Sequence, residues 1–158
     1  MDTSMQLLAG AWPVQTRRLP PFSPLALAFL EALRQELLKS RDETQTALAF
    51  WLRPKHIAAF QQTLPDWETR LGRGLIFHIA PANIPGLFAY SFALSLLAGN
   101  SNIIRLSPRT LDTGLPICQR LRNVLARPEF SLLHESTAFI TYERNKELTD
   151  DLSAQCQG

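Results

Sequence analysis

Two short apolar runs separated by one helix-length segment constrain the fold of this chain more than any other feature. The first run, residues 75–79, lies between Gly74 and Pro81, and the second run covers residues 102–106. Runs of this kind suit strands that are buried on both faces of a parallel sheet. Between them, a turn at residues 80–86 leads into a predicted helix that stops near Leu97, before Gly99. The segment therefore predicts a β-α-β unit.

The flanking sequence extends this unit into a larger α/β pattern. A predicted helix over residues 111–126 follows the second run, a third strand covers 137–141, and another helix runs from 146 to about 156. Upstream, Ser23-Pro24 and Asp42 begin two amphipathic helices, and a third covers 54–62. Alternating strands and helices are typical of parallel sheets with right-handed crossovers. We expect an N-terminal helical segment at 1–73 and an α/β domain at 74–158 with a three-layer, Rossmann-like parallel sheet, which would bind a nucleotide at the carboxyl ends of its strands.

Length, charge and hydropathy exclude several classes of protein. The 158 residues are enough for about one domain, and the 16 Lys and Arg against 14 Asp and Glu are scattered, so we expect no nucleic-acid binding. The longest apolar stretch, residues 84–98, is shorter than the roughly 20 residues of a membrane span. Residues 1–13 lack the pattern of a secretory signal, so a cytoplasmic location is expected. Cys118 and Cys156 have no metal-site or disulfide spacing and are interpreted as reduced thiols; no metal site is predicted.

Asn83 follows the first predicted strand and precedes the Pro85 that begins the next helix. An asparagine amide at this position can donate a hydrogen bond to an oxygen on which negative charge develops during acyl transfer. It can equally cap the helix or close an Asx turn. The spacing alone leaves both interpretations open.

Arg105 closes a run that should otherwise be buried, so its guanidinium must reach water, an anion or an acidic partner. Arg109 lies close by, beside the helix start at Ser107, and an arginine pair at such a start suits a phosphate group. A structural ion pair is the alternative for Arg105. His78, inside the first strand, is interpreted as a core residue. Neither a dinucleotide glycine fingerprint nor a Walker-type phosphate loop is present.

The segments 78–85 and 99–107 resemble a pair of motifs in the aldehyde-dehydrogenase superfamily. There, a strand ends in a Pro-Trp-Asn-x-Pro turn, and the next strand begins with Gly-Asn and ends in Lys-Pro-Ser or Lys-Pro-Ala. Within that superfamily the chain is most similar to bacterial acyl-CoA reductases of the LuxC type, which reduce long-chain fatty acyl-CoA or acyl-enzyme to aldehyde with NADPH. The similarity extends from about Leu48 to the C-terminus and is most specific between Gly74 and Arg109.

The resemblance implies a role for each matching residue. Asn83 would be the side-chain member of the oxyanion hole, and Arg105 would take the place of the superfamily lysine that contacts the adenosine ribose, with Ser107 as the small residue beside it. Pro108 stands where NAD-preferring members often carry a glutamate, which favours NADPH as the cofactor. The nicotinamide side of the cleft would be lined by Ala80, Pro81 and Ala82.

The resemblance also implies a departure. The nucleophilic cysteine of the superfamily lies in a second domain, and neither Cys118 nor Cys156 matches it. We therefore expect residues 74–158 to be a partial NAD(P)-binding α/β domain, an incomplete domain within an N-terminal fragment that cannot form the thioester intermediate by itself. An edge strand without its neighbour predicts self-association, so a second copy of the chain is an expected partner, alongside an acyl-donor protein. The alternatives are a non-catalytic nucleotide-binding or assembly module, or another parallel-sheet protein whose turns mimic these motifs.

Overall fold

The computed structural model describes residues 5–158; the first four residues, part of the segment in which no secretory signal is expected, lie outside this range. The described residues form an α/β fold with four strands and seven helices. The front part contains β1 (Gln6–Gly10), α1 (Pro24–Leu37), α2 (Glu43–Trp51) and α3 (Pro54–Gln62). The remainder contains β2 (Leu75–Ile79), α4 (Leu87–Leu97), β3 (Ser101–Leu106), α5 (Leu111–Leu125), α6 (Ser131–Glu135), β4 (Thr137–Thr141) and α7 (Lys146–Ala154).

The predicted starts of α1 and α2 and the three predicted strands are present, whereas α4 begins at Leu87 and not at Pro85 as predicted. Ser23 Oγ accepts a hydrogen bond from the Ala26 amide at the start of α1, and Asp42 Oδ1 accepts from the Gln45 amide at the start of α2. These side chains satisfy amides that have no partner inside the helix. Strands β2, β3 and β4 are parallel neighbours, as the strand-helix-strand pattern predicts.

The expectation of an all-parallel sheet is wrong, because the sheet is mixed. Its order is β1-β4-β3-β2, and β1 runs antiparallel to β4, with Gln6 opposite Thr141 and Gly10 opposite Ala138. The sequence of β1, Gln-Leu-Leu-Ala-Gly, lacks the β-branched and aromatic residues that favour strands. Its extended conformation is stabilised by pairing with β4, a partner about 130 residues away in sequence.

A β-bulge at Leu8 interrupts the ladder between β1 and β4. The bulge leaves the Leu8 carbonyl without a strand partner, and Arg122 of α5 donates to it from Nε at 2.9 Å and also from Nη2. Because an unpaired buried carbonyl is costly, this contact compensates for the bulge and ties α5 to the sheet edge.

The two faces of the sheet pack into separate hydrophobic clusters. Phe139 of β4 faces the larger cluster, where its ring meets that of Phe92 of α4 at 5.0 Å. Its neighbours Ala138 and Ile140 face the smaller cluster, which includes Leu152 of α7. Alternate residues of a strand point to opposite faces, so β4 is buried on both sides. The larger cluster contains residues of both α1 and α4, and the proposed boundary at residue 74 stays a prediction.

The outer edge of β2 carries hydrogen bonds from the last two residues. The Gln157 amide donates to the Leu75 carbonyl at 2.8 Å, and the Phe77 amide donates to the Gly158 carbonyl at 2.7 Å. These bonds occupy part of an edge that would otherwise offer unpaired backbone groups. Among residues 5–158, no helix is both long enough and apolar enough to cross a membrane.

Candidate functional site

The carboxyl ends of β2 and β3 bring the two predicted motifs together. Ile79 lies opposite Arg105 in the parallel register, and the Ala80 amide donates to the Arg105 carbonyl at 3.1 Å. The turn after β2 therefore lies beside the end of β3. Beyond this contact, Ala80 and Pro81 form a narrow cleft together with Thr110 and Gly114, which follow β3. Ligands of open α/β sheets bind at such strand ends, so this edge is the candidate site.

Asn83 lies at the exposed tip of the turn, between Ala82 and Ile84. It does not cap the helix, because α4 begins after Gly86, which has a left-handed φ of 75° and no side-chain capping bond. A Cβ added at Gly86 would lie 2.7 Å from Thr44 Cγ2, so glycine also permits the close approach of α2. In the described part of the chain the Asn83 side chain makes no hydrogen bond. Its amide is free to donate to a ligand.

Arg105 points from β3 towards the face covered by α7. Its Nη2 donates to the Tyr142 carbonyl at 3.1 Å, and its guanidinium carbon lies 4.5 Å from the centre of the Tyr142 ring. Its Nε is buried and has no hydrogen-bond partner within residues 5–158. No carboxylate of the described residues lies within ion-pair distance of Arg105. The guanidinium therefore keeps one unsatisfied donor at the strand end.

The segment after β3 forms a short 3₁₀ turn, Pro108–Thr110, that leads directly into α5. Ser107 Oγ accepts from the Arg109 amide at 3.4 Å, and the Ser107 carbonyl accepts from the amide and hydroxyl of Thr110. These bonds fix the turn. The Arg109 side chain is exposed and forms no ion pair with a described residue, so its charge is available at the sheet edge.

His78 forms a hydrogen-bonded bridge between β2, β3 and α4. Its Nδ1 lies 2.7 Å from Ser91 Oγ and its Nε2 lies 3.0 Å from Asn102 Oδ1. Asn102 Nδ2 donates to the Asn100 carbonyl, so Oδ1 accepts the proton on Nε2, and Nδ1 accepts the serine hydroxyl. Burial lowers the pKa of His78, and the bond to Asn102 partly opposes that shift. His78 is thus a satisfied, neutral residue beside a cavity of about 140 Å³ that also includes Ala80 and Pro81.

Neither cysteine has the environment of a nucleophile. Cys118 is buried in α5, and burial raises the pKa of its thiol to about 12. Burial also raises the pKa of Cys156. Because the thiolate is the reactive form, both thiols are protonated and unreactive at neutral pH. Within residues 5–158, no group of three or more His, Cys, Asp or Glu side chains could hold a metal ion.

The structure adds contacts that the sequence reasoning missed. Tyr142 holds the Arg105 guanidinium, and Ser91 accompanies His78. The register offers a signal for Tyr142, because Arg105 lies opposite Ile140 and Tyr142, two residues further on, points to the same face of the sheet. No sequence pattern identifies Ser91, whose contact depends on how α4 turns over β2.

Comparison with known proteins gives one match. A family model described as Acyl-CoA reductase (LuxC) matches residues 13–155, nearly the whole chain. No curated protein and no solved structure matches the chain.

Proposed function

The chain belongs to the acyl-CoA reductase (LuxC) family. On that premise we propose that the carboxyl ends of β2 and β3 serve the NADPH-dependent reduction of long-chain fatty acyl thioesters to aldehydes. The resemblance predicted from the two motifs is confirmed at the level of the family. The observation that carries the proposal is the exposed Asn83 amide, which makes no hydrogen bond within residues 5–158 and belongs to the turn whose Ala80 amide donates to the Arg105 carbonyl.

Asn83 acts in this proposal as the side-chain donor of an oxyanion hole. When the acyl carbon becomes tetrahedral, negative charge develops on its oxygen, and a donor already aimed at that oxygen binds it more strongly than the ground-state carbonyl. A helix cap or Asx turn would use Asn83 Oδ1 as an acceptor and would fix the side chain against the backbone. Because Asn83 makes no such bond within residues 5–158, its side chain can turn an Nδ2 donor towards the oxygen.

The residues of the edge fit the cofactor. Arg105 offers a buried Nε that has no partner among residues 5–158, and the exposed Arg109 adds a positive charge for a phosphate. Ala80, Pro81 and Ala82 would line the nicotinamide side, and Ser107 would lie beside Arg105 at the adenosine ribose. Pro108 carries no carboxylate that would repel a 2′-phosphate, which favours NADPH over NADH. When bound, NADPH supplies the hydride that converts the acyl carbon to an aldehyde.

We further propose that the nucleophilic thiol of the reaction comes from outside these 158 residues, which then act as an N-terminal fragment of the enzyme. The burial of Cys118 and the raised pKa of both thiols support this assignment. The chain alone would then bind NADPH without turning over acyl-CoA.

NADPH titration of the purified chain tests the cofactor assignment. Arg105→Ala and Arg109→Ala should each weaken binding about 10- to 100-fold, because each removes a charge-assisted hydrogen bond of roughly 1.5–3 kcal/mol and 1.4 kcal/mol corresponds to tenfold. Arg41→Ala, an exposed arginine between α1 and α2, is the matched control and should leave the affinity unchanged. Unchanged affinity in both site variants would contradict the assignment.

Acyl-CoA reduction, followed as aldehyde formation, tests the catalytic assignment in the enzyme that includes the family's nucleophilic cysteine. Activity that depends on Asn83 supports a reductase. If NADPH binds but no aldehyde forms in that enzyme, the non-catalytic nucleotide-binding module is the better description.

A further inference from the structure

A cavity of about 340 Å³ lies at the opposite end of the sheet from the proposed cofactor edge. It is enclosed by the end of α3, the loop before β2 and the last turn of α4. Two of the residues that line it lie just before the amino ends of strands: Arg73 is two residues before β2, and Asn100 is the residue before β3. The cavity is therefore separate from the turn at residues 80–86. Its volume lies within the range of small-molecule sites, roughly 300–1,000 Å³.

The inner wall of the cavity is aromatic and apolar. The Phe22 ring packs edge-on against Trp67 at 5.5 Å and also meets Phe60 at 6.1 Å. Towards the surface, Leu71 and Leu94 are 57% and 41% exposed. Large apolar side chains around a concave opening leave an apolar surface that a ligand can cover.

The backbone of Phe22 is strained in a way that maintains this wall. Its φ is 52°, a left-handed value that bulky residues rarely adopt. The Phe22 amide donates to the Leu97 carbonyl at 2.7 Å, which holds the loop against α4. The ring is consequently fixed in the wall although its backbone is unfavourable, and strain of this kind clusters at ligand sites.

The polar part of the lining is positively charged. Arg70 and Arg73 line the cavity, both are exposed, and neither forms an ion pair with a described carboxylate. None of the Asp and Glu side chains in residues 5–158 belongs to the lining. Asn100 Oδ1 accepts from the Arg73 amide and its Nδ2 donates to Ser95 Oγ, so Asn100 fixes the loop that carries the arginine. An apolar body with an anionic end is the chemistry that this lining complements.

We propose that this cavity binds an aliphatic carboxylate of about ten carbons, with the chain against Phe22 and Trp67 and the carboxylate between Arg70 and Arg73. A cavity of 340 Å³ holds roughly eleven water-sized groups, since a water occupies about 30 Å³, and a methylene is of similar size. This inference rests on the cavity alone and goes beyond the reductase chemistry proposed above.

Isothermal titration calorimetry of the purified chain with decanoate, below its micelle concentration, tests the proposal. We expect one saturable site, at least fivefold weaker binding of decan-1-ol, and no binding of decyltrimethylammonium. Octanoate has two fewer methylenes than decanoate, and the loss of each should weaken binding roughly fourfold. The factor follows from about 0.8 kcal/mol per buried methylene, since 1.4 kcal/mol corresponds to tenfold in affinity. Decanoate that fails to bind, or binds no better than the ammonium compound, would overturn the proposal.

Two pairs of variants locate the site. Ala98→Phe fills the cavity from the end of α4 and should abolish decanoate binding, whereas Ala126→Phe makes the same change at the exposed end of α5, away from the cavity. The double variant Arg70→Gln/Arg73→Gln should weaken decanoate about fivefold without affecting decan-1-ol, and Arg41→Gln should change neither. Wild-type binding by a folded Ala98→Phe chain would overturn the proposal. If circular dichroism shows that Ala98→Phe does not fold, the Arg70→Gln/Arg73→Gln variant and the comparison of decanoate, decan-1-ol and decyltrimethylammonium test the proposal.

Discussion

The guanidinium carbon of Arg105 lies 4.5 Å from the centre of the Tyr142 ring, and Arg105 also donates to the Tyr142 carbonyl. Tyr142 is 2% exposed, and its hydroxyl pairs with Thr149 Oγ1 of α7 at 2.9 Å. The end of β3 is therefore linked through one ring to α7. Because the ring is buried, its attraction for the cation is stronger than at an exposed site.

This linkage predicts different costs for two substitutions of Tyr142. Tyr142→Phe removes only the hydroxyl bond and should lower the free energy of unfolding by about 1 kcal/mol. Tyr142→Leu also removes the ring that faces Arg105 and should lower it by about 3 kcal/mol in total. Urea unfolding followed by circular dichroism measures both. Equal costs for Phe and Leu would mean that the ring–cation contact contributes nothing.

Asn83→Ala should separate stability from catalysis. The side chain is exposed and makes no hydrogen bond within residues 5–158, so the free energy of unfolding should change by less than about 0.5 kcal/mol. Loss of an oxyanion donor should lower kcat for acyl-CoA reduction about 10²–10³-fold in the enzyme that carries the nucleophile. Asn123→Ala, an exposed asparagine of α5, is the control. Normal turnover by Asn83→Ala would disprove the oxyanion role.

The parallel part of the fold follows from local sequence, whereas its antiparallel edge does not. Residues 75–79, 102–106 and 137–141 are apolar runs bounded by turn residues, and each forms the expected strand. Gln6–Gly10 has no such pattern. Its extended conformation depends instead on pairing with Thr137–Thr141, which lies far along the chain. Local strand propensity does not reveal a pairing between two segments that lie so far apart in the sequence.

The candidate site was predictable as a location but not in its contacts. The motif spacing places Asn83 and Arg105 at neighbouring strand ends, and the Ala80–Arg105 hydrogen bond agrees with that placement. The sequence left helix capping open for Asn83; the left-handed Gly86 takes the cap position instead. Tyr142, the partner of Arg105, follows β4, and local sequence does not show that β4 is the neighbour of β3.

His78 predicts a pH effect on stability near neutrality. Burial lowers its pKa, so the unfolded chain, with an ordinary histidine pKa of about 6.5, takes up the proton first. The free energy of unfolding should therefore fall as the pH decreases below about 6.5, until the pH reaches the lower pKa of the folded state. His78→Phe should remove this decline, although it lowers stability at pH 7 by roughly 1–3 kcal/mol because Asn102 loses its partner. Ser91→Ala keeps the buried imidazole and should retain the decline; an unchanged decline in His78→Phe would contradict this origin.

Glu36 predicts a second pH effect on stability, at lower pH. It arises from a carboxylate that is stabilised by neighbouring cations, whereas the effect of His78 arises from burial of the imidazole. Its carboxylate, 9% exposed, contacts Lys39 at 2.6 Å, Arg127 at 3.1 Å and Arg120 at 3.7 Å, and so links α1 to α5 and to the residues that follow it. The hydrogen bond from Lys39 is the main cause that lowers the pKa of Glu36, with the charges of Lys39, Arg127 and Arg120 adding to it, and burial opposes the shift.

A lowered carboxyl pKa means that the stabilisation is complete above the ordinary value of about 4.3 and is lost as the pH falls below it, through the pKa of the folded state. Glu36→Gln should therefore cost roughly 1–3 kcal/mol at pH 7 and flatten the decline of stability below about pH 4.3. Glu31→Gln removes the ion pair between Glu31 and Arg34. The Glu31 side chain is 38% exposed, so water screens this pair and its loss should lower the free energy of unfolding by less than about 1 kcal/mol. Urea unfolding at pH values from about 3 to about 7 measures the free energy of unfolding of both variants. An equal loss in the two variants would show that the burial of Glu36 adds nothing to its ion pairs.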